Sequence, residues 1–251
     1  MAPELPAADR TWADWEAVGG DFARLPSLSE AQQQALHGGQ TVQTEVVLRD
    51  GMLWGSVFRF EPALSALELA AVFYDFAGQR RFVPGMPVTR VVARDGKRSR
   101  VYHRINPVVF FWPGAQRLWP PWLFGLLTYA YELDEEVFEH DDGHSIRWTI
   151  PLAEQVLGGR ENGEILFTEH RCGVLISYNN ATAPFGYPQL KRLLPGRVVS
   201  WLVGSMGSVA QAYYRRTVEG FVALVDRLDA EERAAAVAAM TEHLREPPPT
   251  G

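Results

Sequence analysis

The 251-residue chain is 47% hydrophobic and 22% charged, with a formal net charge of -6. That length can bury a substantial core, and the acidic balance weighs against nucleic acid, whose phosphates need a concentrated basic face. A single cysteine, Cys172, excludes an internal disulfide and a cysteine-rich zinc site, and it fits a reducing cytoplasm.

Residues 1–27 are rich in Ala and Pro and read as an arm, with one short helical turn over 12–17. No basic segment followed by an apolar core opens the chain, so no signal peptide is expected. Ser27 with Glu30 has the capping-box spacing for a helix that Gly38 and Gly39 stop. The segment TVQTEVVLRDGMLWGSVFRFE reads as two strands joined through Arg49-Asp50-Gly51. Ser65 with Glu68 forms another capping box, and Leu64, Leu67, Ala71 and Tyr74 follow helical spacing behind it.

The middle is strand-rich. VTRVVARDG and RSRVYHRIN flank the turn signal Asp95-Gly96. In TYAYELDEEVFEH, Tyr129, Tyr131 and Leu133 alternate with Ala130, Glu132 and Asp134, and the acidic run reads as an outer strand face. After Asp142-Gly143, Ile146, Trp148 and Ile150 share one face, with Ser145, Arg147 and Thr149 on the other. EILFTEH and GVLISYNNATA follow, and the absence of helices between these strands predicts an antiparallel meander. From Arg197 to Leu228 nothing breaks a helix, and Val199, Val203, Met206, Ala210, Tyr213, Thr217, Phe221, Leu224 and Leu228 mark one face. Gly204, Ser205, Gly207 and Ser208 either admit a close neighbour or leave room for a ligand. An Ala-rich helix over 229–244 and a frayed tail end the chain.

One stretch stands apart, VFFWPGAQRLWPPWLFGLLTY at 109–129. Pro113-Gly114 and Pro120-Pro121 break it too often for a spanning helix, because lipid does not satisfy the backbone groups those breaks expose. Three readings stand: added core, a lid over a ligand cavity, or a tip (Trp112, Trp119, Trp122, Phe124) that touches a bilayer surface.

The order of helix, two strands, helix, meander and long C-terminal helix resembles the helix-grip fold of the START-like, or SRPBCC, superfamily. Local patterns agree with it. VFYDFAGQRRFVPGMPVTRVV places Asp75, Phe76, Phe82, Pro84 and Gly85 as in that family's entry into the meander. HRCGVLISYNNATAP places Gly173, Tyr178 and Pro184 as in its penultimate strand and exit. The resemblance implies an α+β helix-grip fold with a curved antiparallel sheet around the long C-terminal helix. It divides the chain into an arm at 1–27, the START-like domain at 28–228, and an added helix and tail at 229–251. It implies an internal apolar cavity for a hydrophobic small molecule: a lipid, an isoprenoid or quinone, or a polyketide-like compound, for transport or sequestration.

Alternation then nominates Tyr102, Tyr129, Tyr131, Ile146, Trp148 and Tyr178 as cavity lining, joined by Met206, Ala210 and Tyr213 from the long helix. No phosphate loop, zinc-protease motif or nucleophile elbow occurs, so no nucleotide, metal or other cofactor is expected. His140, Asp141, Asp142 and His144 crowd a hairpin turn and read as solvated turn residues. His103 and Glu169-His170 lie on strands, and either histidine could serve as a general acid–base in the cavity. An alternative function follows, a polyketide cyclase or aromatase using Tyr102, His103, Arg104 or Tyr178 for proton transfer. The last alternative is a protein that uses the aromatic 109–129 insertion to bind a partner.

Overall fold

A computed structural model describes residues 28–49, 52–106, 129–150, 161–170, 173–182 and 195–245. Helix α1 (Glu30–His37) begins at Ser29, whose hydroxyl accepts from the Gln32 N–H while the Gln32 side chain accepts from the Ser29 N–H. Ser29 with Gln32 therefore makes the capping box in place of Ser27 with Glu30, and Ser27 lies outside the described residues. Gly38 caps the end as expected, and Gly39 takes a left-handed φ of 72°.

Short strands β1 (Val42–Gln43) and β2 (Val47–Arg49) both pair antiparallel with β3 (Met52–Glu61), and Arg49 opposes Met52 across the expected hairpin. Helix α2 (Ala66–Tyr74) opens on the predicted Ser65–Glu68 box. The Glu169 carboxylate adds a cap by accepting from the Ala66 N–H at 2.6 Å. A 3-10 turn (Phe76–Arg81) follows, capped by Asp75, and Gly85 adopts φ 72°, which a side chain would disfavour.

Strands β4 (Val88–Asp95), β5 (Arg98–Ile105), β6 (Tyr129–His140), β7 (Gly143–Thr149), β8 (Glu161–His170) and β9 (Gly173–Thr182) form the predicted antiparallel meander. β9 pairs with β3, so the sheet runs β1-β3-β9-β8-β7-β6-β5-β4, with β2 also on β3. The chain reaches the β4 edge from β3 only by way of α2, which crosses one face of the sheet. A bulge between Val91 and Ala93 interrupts β4 at that edge.

Helix α3 (Gly196–Val225) and helix α4 (Ala230–Arg245) complete the chain. Tyr214, Thr217, Val218, Phe221, Val222 and Val225 are buried, at the spacings of three and four that put one stripe against the sheet. A Cβ on Gly55 of β3 would stand 2.8 Å from Val46 and 3.3 Å from the Tyr214 ring, and the Tyr214 hydroxyl lies 3.2 Å from both the Leu53 carbonyl and the Thr182 hydroxyl. α4 lies on α2, burying Met240 and joining Arg233 to Glu68 at 3.3 Å. α1 lies on the opposite sheet face, where Leu36 packs with Phe58, Phe60 and Leu175. No helix among the described residues is long and apolar enough to cross a membrane.

Candidate ligand site on the concave face

Pairing registers sort each strand's side chains by face. On the side that carries α2 and α3, aromatic rings fill one end. Phe73 lies 5.5 Å from Phe221, 5.6 Å from Phe82 and 6.3 Å from Phe167, centroid to centroid. Further along the strands comes a row of a different kind, Ser99, Glu135, Trp148, Gly163, Asn180 and Gly55, one residue from each of six adjacent strands. Gly163 is glycine because the Trp148 indole occupies its side-chain space: a Cβ there would stand 2.1 Å from two ring carbons. Phe73 stacks on the other side of the indole at 6.2 Å, and Tyr178 lies 5.4 Å away.

Around this row the structure gathers polar groups in an otherwise apolar cup. Glu135 and His103 are almost wholly buried, with His103 Nε2 3.7 Å from Glu135 Oε1. His103 Nδ1 lies 3.1 Å from the Met86 sulfur, and its ring lies against Tyr131 at 5.6 Å. The Asn180 amide donates to Glu161 Oε1 at 3.2 Å. Among the described residues four polar atoms here have no hydrogen-bond partner: Ser99 Oγ, His103 Nε2, Glu135 Oε2 and Asn180 Oδ1. Orphaned polar atoms at this depth are costly, typically about 1–3 kcal/mol each, unless something else satisfies them.

Electrostatics follow from the enclosure. Burial raises the Glu135 carboxyl above its ordinary value, against smaller opposing contributions from His103 and Gln79. Glu161 is raised by burial too, opposed by the Asn180 amide, by His103 and by the Trp148 indole. Glu135 is the more fully enclosed of the two. Burial likewise drives the phenols of Tyr178 and Tyr214 upward, so both stay protonated near neutrality. The site thus offers carboxyls whose burial favours the neutral form, an imidazole and a phenol, groups able to bond a ligand's polar atoms or to move a proton.

The sequence-nominated residues divide on the structure. Tyr131, Ile146, Trp148, Tyr178 and His103 share the concave face, and Met206 and Ala210 of α3 pack near Leu53 at its margin, with Tyr213 beside Tyr214. Tyr102 and Arg104 are corrected to the convex face, because strand neighbours of His103 must point the other way; Arg90 stands 4.8 Å over the Tyr102 ring. His170 also belongs to the convex face, 6.4 Å from Phe60, which leaves His103 as the one of the two on the concave face. The side chain of Tyr129, the segment 107–128 with Trp112, Trp119, Trp122 and Phe124, the 12–17 turn, Cys172 and the tail lie outside the described residues. Glu135 is the main correction: its carboxylate faces inward, in phase with Tyr131 and Leu133, and is no part of the outer acidic face. Glu161 and Asn180 are additional site residues that the sequence reading passed over. His140, at the hairpin turn, bonds the Ser145 hydroxyl at 2.9 Å.

A cavity of about 440 Å³ also lies on the convex face, lined by Arg98, Arg100, Asp134, Glu136, Phe138 and Arg147 among others. Its charges satisfy one another: Arg98 with Glu136, Arg100 with Asp134, and Arg147 with the buried Glu164 at 2.5 Å. Unpartnered atoms occur on both faces, with Ser177 and Asn179 on the convex one, but on the other face Ser99, His103, Glu135 and Asn180 all carry them, and the site is assigned there.

No protein-family model matches the sequence, and neither does any curated protein. Solved structures do match the fold. A STAR-related lipid transfer protein fragment from Xanthomonas axonopodis is 13% identical, with a TM-score of 0.52 over 76% of this chain and 94% of its own. Human STARD10 is 12% identical, with a TM-score of 0.45 over 87% of this chain and 82% of its own. The Zhui aromatase/cyclase from Streptomyces sp. R1128 is 10% identical, with a TM-score of 0.43 over 77% of this chain and 96% of its own. The curved antiparallel sheet, its α2 crossover and the long C-terminal helix give this chain the START-like helix-grip fold.

Proposed function

We propose that this chain binds a hydrophobic small molecule between the concave face of its sheet and α3, for transport or sequestration, in the cytoplasm. A lipid, an isoprenoid or quinone, or a polyketide-like compound fits the reading. One observation carries it: four polar atoms, on Ser99, His103, Glu135 and Asn180, stand buried without a hydrogen-bond partner among the described residues of the concave face. A ligand whose polar end reaches them removes that cost, while burial of its apolar body contributes about 25 cal/mol per Å² before the costs of association. Gly207 on α3 agrees, since a Cβ there would meet nothing within 4 Å among the described residues. Native mass spectrometry of freshly purified protein tests the reading, with thermal shifts across a panel of lipids and aromatic polyketides. A bound apolar molecule or a clear stabilisation is expected; an empty protein that no compound stabilises sinks it.

A second reading, an enzyme of cyclase or aromatase type, is favoured by the buried His103–Glu135 pair, 3.7 Å apart beside a second carboxyl, Glu161. Such a pair can take a proton from one carbon of a bound chain and hand it to a departing hydroxyl, so that the chain gains a double bond and loses water. The same mass measurement separates the two. If the pair does chemistry, wild-type protein and Glu135→Gln retain molecules of different mass; a carrier retains the same molecule in both.

A further inference from the structure

We infer that α4 is a strap whose C-terminal end is fastened by an Arg94–His243 contact that holds only while the imidazole is uncharged. Its release opens the β4 edge of the concave face, and this second part rests on the ligand site proposed above.

The two ends of α4 are held differently. At the start, Asp229 and Glu232 exchange side chain-to-backbone bonds of 2.8 and 3.0 Å, and Arg233 bonds both Glu68 of α2 and the Leu228 carbonyl. Met240 is buried in the middle, with Ala236, Val237 and Leu244 partly buried against the core. At the far end the polar tie is to β4. One guanidinium nitrogen of Arg94 meets both ring nitrogens of His243, at 2.9 Å from Nε2. The Arg94 guanidinium also stands 5.1 Å over the Tyr74 ring of α2, and His243 lies 6.0 Å from that ring.

A guanidinium can only donate, so a ring nitrogen accepts from it only while it carries no proton. Proton uptake by His243 replaces that acceptor with a second cation beside Arg94. The surroundings give the new charge no partner. α2 brings the Tyr74 phenol, Asp95 of β4 alternates to the convex face in register with Arg98, and Glu242 and Arg245 flank the ring in sequence with opposite signs. Among the described residues the one histidine within ion-pair distance of a carboxylate is His103. Two turns of helix cut off from their support do not stay folded in water. Residues 238–245 therefore come away, while 230–237 stay fastened through Arg233. Arg94 is also the cross-strand partner of Ser99, so it continues the row of Ser99, Glu135 and Trp148 to the last strand of the sheet. Laid across Tyr74 toward α4, its side chain bridges that edge to the helices, and loss of the His243 contact frees it to swing out.

Hydrogen exchange of the full-length protein, read by mass spectrometry and corrected for the chemical effect of pH, tests the fastening. The conditions are about pH 7.5 and about pH 5.5, either side of an ordinary imidazole. Protection over 238–245 should fall roughly fivefold or more at the lower pH, while 66–74 keeps its own. His243→Gln retains an acceptor that does not titrate and should stay protected at both pH values. Arg94→Met should be poorly protected at both. Equal wild-type protection at the two pH values, the same pH dependence in either variant, or a loss spread evenly over the whole chain overturns the strap. Stopped-flow uptake of the uncharged fluorophore N-phenylnaphthylamine tests the opening. Uptake should be faster at the lower pH in wild type, and equally fast at both in Arg94→Met. A rate indifferent to pH and to Arg94 overturns the opening and leaves the fastening to the exchange result. A probe that never binds overturns the ligand site and the opening together.

Discussion

Gly163→Ala is the most direct test of how the concave face is built. The added methyl would stand 2.1 Å from Cε2 and Cζ2 of Trp148 and 2.4 Å from its Nε1. The indole is rigid and must retreat by more than an ångström to ordinary contact, yet Phe73 stacks at 6.2 Å and Tyr178 stands at 5.4 Å. Overpacking against such neighbours costs about 1–3 kcal/mol. For a chain of this size that is a Tm lower by roughly 2–12 °C. Differential scanning calorimetry reads the loss, and near-UV circular dichroism reads the displaced indole. Trp148→Phe supplies the control, because a smaller ring leaves room for the methyl: Gly163→Ala should cost less in that background, a coupling a double-mutant cycle measures. An alanine variant with unchanged Tm, or an equal loss in both backgrounds, refutes the placement of the indole over Gly163 and with it the polar row as described.

Two further outcomes follow from the same face. Gly207→Ala on α3 meets open space, so it should stabilise by about 0.5–1 kcal/mol through helix propensity; a lower Tm would mean the helix is more tightly packed there than described. Burial raises the Glu135 carboxyl above 4.5, so the folded protein holds its proton after the unfolded chain has released its own. That contribution is whole below the unfolded value and is lost as pH rises through the folded one, at about 1.4 kcal/mol per pH unit within the window. Glu135→Gln should therefore gain stability relative to wild type as pH rises above the ordinary carboxyl value, read by urea denaturation, and a difference independent of pH contradicts the assignment.

What could be read from the sequence, and what could not, turns on phase. Ser65 with Glu68, Asp95-Gly96 and the Ile146–Trp148–Ile150 alternation are local signals, and the structure realises each. The first helix carried two overlapping signals, Ser27 with Glu30 and Ser29 with Gln32, and which serine caps depends on where the backbone turns helical. Tyr102 and His103 are adjacent, so a strand cannot turn both inward; cross-strand pairing of His103 with Tyr131 decides between them. Glu135 was within reach, two residues on from Leu133, but its charge was allowed to outweigh its phase. Glu161 and Gly163 were hidden because β8 starts three residues before the apolar run that announces it.

The same accounting explains why the site and the rest of the concave face obey different rules. At the α2 end the Phe73–Phe82–Phe167–Phe221 rings fill the face, and the Glu169 carboxylate there caps α2. Along the Glu135–Asn180 row the chain retains carboxyl, amide and imidazole at positions where β-branched residues would stabilise the sheet better. The convex face shows what this protein does with polar groups that serve stability alone: Arg147 answers Glu164, Arg100 answers Asp134, and Thr149 answers Asn162. Glu135 Oε2 and Asn180 Oδ1 receive no such answer among the described residues. Ser99, His103, Glu135 and Asn180 gather on the face that carries α2 and α3, and on the function proposed above it is a bound molecule that would answer them.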